Sequence, residues 1–279
     1  MDILVEPHWL ADHLRNSGTV LLDATLPPVG VVPPVDTRAR YLAGHLPGAV
    51  FFDIDELSDN STNLPHMLPS AETFSRQMSS LCIADDATLV VYEQEGVFSA
   101  PRAWWMLRTF GARHVHILNG GLRAWRDAGL PIEPGPVQRP AASFHATLTP
   151  GAVKTFAQVQ QMLAQGAQIA DARSAARFAG SAPEPSPGLR SGHMPGSISL
   201  PFTELVEDGR IKDADTLRAI FTAKGIDIAQ PITTTCGSGV TAAVVLLGLE
   251  LASATDVTLY DGSWAEYAQQ PGAIIETST

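Results

Sequence analysis

The sequence predicts an α/β protein built from two tandem domains, each a mainly parallel sheet covered by helices on both faces. Three observations predict it. Short apolar runs alternate with helical patterns along the chain, the signature of strand–helix–strand units and a parallel sheet. The length of 279 residues matches about two domains at roughly 150 residues each. The two halves also repeat one another in sequence.

In the first half, residues 20–22, 89–92 and 115–118 read as buried strands. Residues 70–81 carry Phe74, Met78 and Leu81 at helical spacing, with Ser70 as the expected N-cap. Residues 99–110 read as a helix capped by Ser99, with Pro101 in its first turn and Gly111 as its stop. Pro131, Pro134, Gly135, Pro136, Pro140 and Pro150 follow without an apolar period. A linker is therefore expected over residues 136–150, joining domains at 1–135 and 151–279. In the second half, residues 153–163 and 215–224 are predicted helices, ended by Gly166 and Gly225. Residues 232–235 and 257–260 are predicted strands, and 240–251 a buried helix.

The repeat supports the duplication. Leu21-Leu22-Asp23-Ala24 returns as Ile169-Ala170-Asp171-Ala172, and Gly44-His45-Leu46-Pro47-Gly48 as Gly192-His193-Met194-Pro195-Gly196, both 148 residues on. Residues 118–125 return as 259–266, 141 residues on. A repeat this long is a duplicated domain; a solenoid would repeat every 20–50 residues or so.

Composition narrows the function classes. Hydrophobic residues at 45% exclude a disordered chain. A net charge of −11, from 18 Lys+Arg against 29 Asp+Glu, argues against nucleic acid or an anionic membrane as partner. Two cysteines cannot make a disulfide framework and point to a reducing compartment. There is no basic leader-like region, and no run approaches about 18 apolar residues, so a cytoplasmic protein without a membrane span is expected.

In open α/β sheets, ligands sit beyond the carboxyl ends of the strands. In the second half that place is held by Thr235-Cys236-Gly237-Ser238-Gly239-Val240-Thr241-Ala242, between a predicted strand and a predicted helix. The glycines let the backbone curl with its N–H groups turned inward, and the helix adds its positive end. Gly237, Gly239, Val240 and Thr241 would line this cradle, and Cys236 is the expected nucleophile. The bland alternative is a small residue at a tight turn. The first half carries Tyr92-Glu93-Gln94-Glu95-Gly96-Val97-Phe98-Ser99 at this point. It has no cysteine, and its two carboxylates would repel an anion, so only the second domain is expected to do chemistry. No Gly-x-Gly-x-x-Gly, Walker or Cys/His metal spacing occurs, so neither cofactor nor metal is expected. Cys82 reads as an inert thiol. Arg102 is open between an inter-domain ion pair and a place near the site.

The tandem halves, the repeated Gly-His-x-Pro-Gly and the Cys236 loop resemble the rhodanese sulfurtransferases. The loop Cys-Gly-Ser-Gly-Val-Thr is similar to that of the 3-mercaptopyruvate branch; thiosulfate-specific relatives typically carry Cys-Arg-Lys-Gly-Val-Thr. The likeness also includes Phe51-Phe52-Asp53-Ile54-Asp55, Pro65-His66-Met67-Leu68-Pro69 and Tyr260-Asp261-Gly262-Ser263-Trp264. It covers nearly the whole chain and implies two rhodanese-like domains. It further implies transfer of the sulfur of 3-mercaptopyruvate, through a persulfide on Cys236, to a small thiol, a thioredoxin-type protein or cyanide, with release of pyruvate and no cofactor.

The same resemblance implies that Arg177 anchors the substrate carboxylate and that Ser238, His66 and Asp55 form a proton relay. The chain departs from the family at Ser186, where a Glu-Pro-Arg stretch carries a second arginine; Arg190, four residues on, is the candidate substitute. His45 and His193 recur in both halves and read as fold residues, as do Asp23, Asp171 and Arg173. His66 and Asp55 have no such counterpart. The alternatives are a thiosulfate sulfurtransferase and a non-catalytic sulfur-binding or interaction module. A phosphatase of this fold would need arginine six residues after Cys236, where Ala242 stands.

Overall fold

A computed structural model describes residues 2–14 and 18–278. The first half runs β1 (Leu4–Val5), α1 (Pro7–His13), β2 (Thr19–Asp23), α2 (Thr37–Ala43), β3 (Val50–Phe51), α3 (Ile54–Leu57), α4 (Ala71–Ser80), β4 (Thr88–Tyr92), α5 (Ala100–Thr109), β5 (His114–Leu118) and α6 (Gly121–Asp127). The second half runs β6 (Val153–Lys154), α7 (Phe156–Ala164), β7 (Gln168–Asp171), α8 (Ala175–Ala179), β8 (Ile198–Ser199), a 3-10 turn (Phe202–Leu205), β9 (Val206–Glu207), β10 (Arg210–Ile211), α9 (Ala214–Ala223), β11 (Ile232–Thr235), α10 (Val240–Leu251), β12 (Val257–Tyr260) and α11 (Ser263–Tyr267).

Each half forms one five-stranded parallel sheet, in the order β1-β5-β4-β2-β3 and β6-β12-β11-β7-β8. Strand for strand the two orders are the same, so the duplication read from sequence is a duplication of fold. β9 and β10 pair separately as a two-stranded ribbon.

The pairing corrects one register. The Leu122 N–H donates to the Glu93 carbonyl at 2.8 Å, and the Trp264 N–H to the Cys236 carbonyl at 2.9 Å. The late repeat is therefore offset by 142 residues, one more than the sequence match indicated. In this register Trp125 matches Tyr267, and Gly121 matches Ser263.

The chain divides into two compact units. One comprises Met1–Asn60, Leu68–Thr149 and Asp208–Arg210; the other comprises Ser61–Met67, Pro150–Glu207 and Ile211–Thr279. The expected linker is thus mostly part of the first unit. Phe144 is buried, its ring packed edge-on against Phe74 with the ring centroids 6.0 Å apart. The Thr147 N–H donates to the Phe110 carbonyl, and the Ala146 N–H to the Ser75 hydroxyl. One apolar anchor and these paired N–H groups hold down a segment whose prolines read as a tether. The boundary accordingly falls at Thr149, with residues 61–67 and 208–210 exchanged between the units.

Local chemistry explains the elements. Ser70 caps α4 by accepting the Thr73 N–H, and Asp213 caps α9 by accepting from Asp215 and Thr216. The helix predicted from residue 153 begins at Phe156. Val153 and Lys154 pair with β12 first, and Thr155 then forms a capping box with Gln158. α10 is apolar all round and buried along most of its length, as a core helix must be. Trp125 and Trp264 sit fully buried in the cores of their respective units. His45 stacks on Tyr41 and bridges backbone to Glu133; His193 stacks on Phe178 and bridges to Glu276. Both are fold residues, one per unit. Among the described residues, no helix is long and apolar enough to cross a membrane.

Candidate active site

β11 delivers the chain to Cys236, which is 2% exposed. Gly239 then takes a left-handed φ of 80° as the residue capping α10, a conformation that glycine adopts at little cost. The turn brings the Gly239 N–H to 3.1 Å from the Cys236 Sγ, to which it donates. The loop is clamped by the turn after β12. The Cys236 N–H donates to the Ser263 Oγ at 3.3 Å, and that hydroxyl donates to the Tyr260 carbonyl at 2.8 Å. The Ala265 N–H donates to the Gly237 carbonyl at 2.9 Å. Ser263 holds this post at φ 49°. Sequence reasoning missed it; the corrected register, which sets it against Gly121, is the signal that finds it.

Ser238 Oγ lies 2.9 Å from His66 Nδ1, in hydrogen-bond contact. His66 has φ 60° and belongs to the segment Ser61–Met67, which packs as part of the second unit. The structure therefore brings His66 into contact with Ser238 in the Cys236 loop. Asp55 belongs to the first unit, in the first turn of α3, where its carbonyl accepts the Ser58 N–H.

Arg177 stands on α8, whose N-cap Ser174 accepts the Arg177 N–H. A Cβ at Gly237 would lie 2.8 Å from Arg177 Nη2, so the guanidinium rests against the loop backbone. It is held there by Glu184, which accepts Arg177 Nε at 3.0 Å and also its Nη2. Glu184 in turn accepts Arg173 Nη1 at 2.8 Å, and Arg173 is paired with Asp171. Burial opposes the Arg173 charge, but Asp171 and Glu184 outweigh it and hold the guanidinium above its ordinary range. Arg173 and Asp171 are thus both buried and paired with one another. Glu184 is a second residue that sequence reasoning missed, although it opens the Glu-Pro stretch already noted.

Arg190 is a correction. Its guanidinium donates to the carbonyls of Ala268, Gln270 and Ala273, so it caps the chain after α11. A side chain engaged with three carbonyls does not stand in for the arginine absent at Ser186. Val240 and Thr241 open α10, with Val240 buried. Cys82 and Cys236 are both free thiols. Arg102 is fully buried in α5, 4.6 Å over the Trp105 ring.

The matching loop of the first unit is occupied by its own side chain. Glu93 stands at the position of Cys236. Its carboxylate accepts the N–H groups of Phe98 at 2.9 Å and Ala100 at 2.8 Å, the Ser99 N–H, and the Ser99 hydroxyl at 3.0 Å. Burial pushes the Glu93 carboxyl up despite these donors. Ser99 therefore does not cap α5 with its side chain; Glu93 does. Of the two carboxylates expected to repel an anion, Glu95 pairs at the surface with Arg40, 3.6 Å away. Glu93 closes the cradle by filling it.

The rhodanese-like domain matches the chain twice, over residues 6–128 and 155–270. The chain belongs to the rhodanese family. Each match takes in all but the first strand of one parallel sheet, and the second contains the Cys236 loop. This rhodanese chain is 46% identical over 269 residues to 3-mercaptopyruvate sulfurtransferase of Escherichia coli (strain K12), covering 96% of this chain and 95% of the relative. It is 42% identical over 273 residues to thiosulfate sulfurtransferase of Bos taurus, covering 95% and 91%. The crystal structure of SseA, a 3-mercaptopyruvate enzyme from Escherichia coli, superposes with a TM-score of 0.88 at 45% identity, covering 95% of this chain and 99% of that one. The rhodanese chain is a sulfurtransferase-type transferase.

Proposed function

We propose that the chain transfers the sulfur of 3-mercaptopyruvate, through a persulfide on Cys236, to a thiol or cyanide acceptor, with release of pyruvate. The observation that carries this reading is a nucleophile loop without cations, Gly237-Ser238-Gly239, with one arginine, Arg177, laid against it. That arrangement suits a donor with a single carboxylate, which a guanidinium can grip with two parallel hydrogen bonds. Thiosulfate is a compact dianion and would be better met by a loop bearing cations.

The Cys236 thiolate attacks the donor sulfur. An S–S bond forms as the C–S bond breaks, and the electron pair leaves with carbon as the enolate of pyruvate. The proton lost by the donor thiol ends on that carbon. Ser238 and His66, already hydrogen-bonded, are the pair that carries it. The Gly239 N–H on the Cys236 sulfur stabilises the thiolate before it attacks the donor and again when the acceptor restores it. The acceptor thiolate or cyanide then attacks the outer sulfur, the S–S bond breaks, and its electron pair returns to Cys236. A reducing compartment such as the cytoplasm keeps that sulfur available.

Incubation with 3-mercaptopyruvate is expected to add the mass of one sulfur atom to Cys236 and to release pyruvate. Cys236→Ser is expected to lose both. Intact mass spectrometry showing no added sulfur would defeat the reading. A kcat/KM for thiosulfate above that for 3-mercaptopyruvate would replace it with the thiosulfate alternative, which the identity to the bovine relative keeps in view.

A further inference from the structure

We infer that Glu184 decides which sulfur donors the site accepts, by fixing the Arg177 guanidinium and by cancelling its charge toward a second negative group. The inference rests on the reading of the Cys236 loop as a mercaptopyruvate site. The Glu184 side chain is 1% exposed and shared between two arginines. One oxygen takes Arg173 Nη1 at 2.8 Å; the other takes Arg177 Nε at 3.0 Å together with Nη2. The Nε N–H and one Nη2 N–H are thereby committed, so the edge of Arg177 offered to a ligand is the one shared by Nη1 and the second Nη2 N–H. With Gly237 lacking a Cβ that would otherwise collide with Nη2, the guanidinium is held in one place beside the nucleophile.

The charges of this cluster cancel. Arg173 and Arg177 face Asp171 and Glu184, and Gly237, Ser238 and Gly239 add no cation. One carboxylate on a donor can still hydrogen-bond to Arg177 and displace water from it. A donor with two negative charges finds no net positive charge to offset the second one or the Cys236 thiolate. In a largely buried cluster such an imbalance is only weakly screened. Arg177 alone would favour any anion; Arg177 with Glu184 favours the singly charged one.

The test is a donor panel on three full-length proteins. Glu184→Gln keeps one hydrogen-bond acceptor but makes the cluster net positive. It is expected to raise kcat/KM for thiosulfate relative to 3-mercaptopyruvate by about tenfold or more, because the cluster then carries one uncompensated positive charge toward the donor. Glu184→Asp keeps the charge but shortens the reach. It is expected to raise KM for 3-mercaptopyruvate, with a smaller change in kcat, and to leave the donor ratio near that of the wild type.

A purely structural Glu184 would lower the melting temperature and weaken both donors equally, leaving the ratio unmoved; that result overturns the inference. Equal ratio shifts in both variants overturn it as well. If Glu184→Gln does not fold, Glu184→Asp decides, because an unchanged KM for 3-mercaptopyruvate removes the positioning role. A wild-type protein that does not turn over 3-mercaptopyruvate defeats the function reading instead, and so separates the two failures.

Discussion

Gly237 is a glycine for space. Its φ lies outside the left-handed region, so alanine would fit its backbone, but the added Cβ would lie 2.8 Å from Arg177 Nη2. The neighbour is the tip of a flexible side chain, which can move away at little cost to the fold. Gly237→Ala is therefore expected to raise KM for 3-mercaptopyruvate several-fold, with a much smaller change in melting temperature, a split that steady-state kinetics and a thermal melt read together. Cys236 was legible in the sequence because two nearby glycines and a strand-to-helix junction are local signals. Arg177 was legible through its motif. Arg190 misled because its true partners are the carbonyls of residues 268, 270 and 273, about 80 positions along the chain. Nothing near Arg190 in sequence announces them.

Among the elements, the strand-to-helix junctions show how one scaffold gives two outcomes. In the second unit, β11 leads into a short glycine loop that carries Cys236, the candidate nucleophile. In the first, β4 leads into a longer loop whose Glu93 caps α5 from within. Removing that carboxylate leaves buried N–H groups of Phe98, Ser99 and Ala100 without their acceptor. Glu93→Ala is expected to destabilise the protein by about 3 kcal/mol, since each unsatisfied buried donor costs on the order of 1–3 kcal/mol. Glu93→Gln, which retains one acceptor oxygen, should lose less; urea unfolding of the two variants checks the order. The sequence showed two carboxylates where an anion site would be and implied repulsion. It could not show that one of them turns inward, because that depends on the path of residues 94–99 through space. The start of α7 was misplaced for a related reason: Val153 and Lys154 suit a helix locally, and their pairing with β12 overrides that preference.

Across the whole molecule, the duplication places the same residue type in two different environments. Asp171 ends β7 and is paired with Arg173. Asp23 ends β2, 148 residues earlier, where Thr25 and Gln94 are its hydrogen-bond donors. Burial pushes the Asp23 carboxyl above its ordinary value of 3.8, with those hydrogen bonds offsetting part of the effect. The folded state then holds this proton more tightly than the unfolded chain does. The Asp23 contribution to stability is complete below pH 3.8 and declines as pH rises through the raised folded value. Asn does not titrate. The melting temperature of Asp23→Asn relative to wild type is therefore expected to improve as the pH rises above 3.8 through the raised folded value. A difference that stays flat across this range would rule out Asp23 as the source of any such pH dependence.

The sequence by itself determined the fold class, the duplication, the candidate nucleophile and the absence of a cysteine from the matching loop of the first unit. These follow from periodicity, from repetition and from which residues carry reactive atoms, all of which are properties of the chain in one dimension. The tertiary structure decided which polar groups meet. It gave Ser238 the His66 side chain, 172 residues away in sequence, tied Arg190 to the carbonyls after α11, and set Glu184 between two arginines. The physical reason is that hydrogen bonds and ion pairs act over a few ångströms, and folding, not sequence spacing, sets distances on that scale.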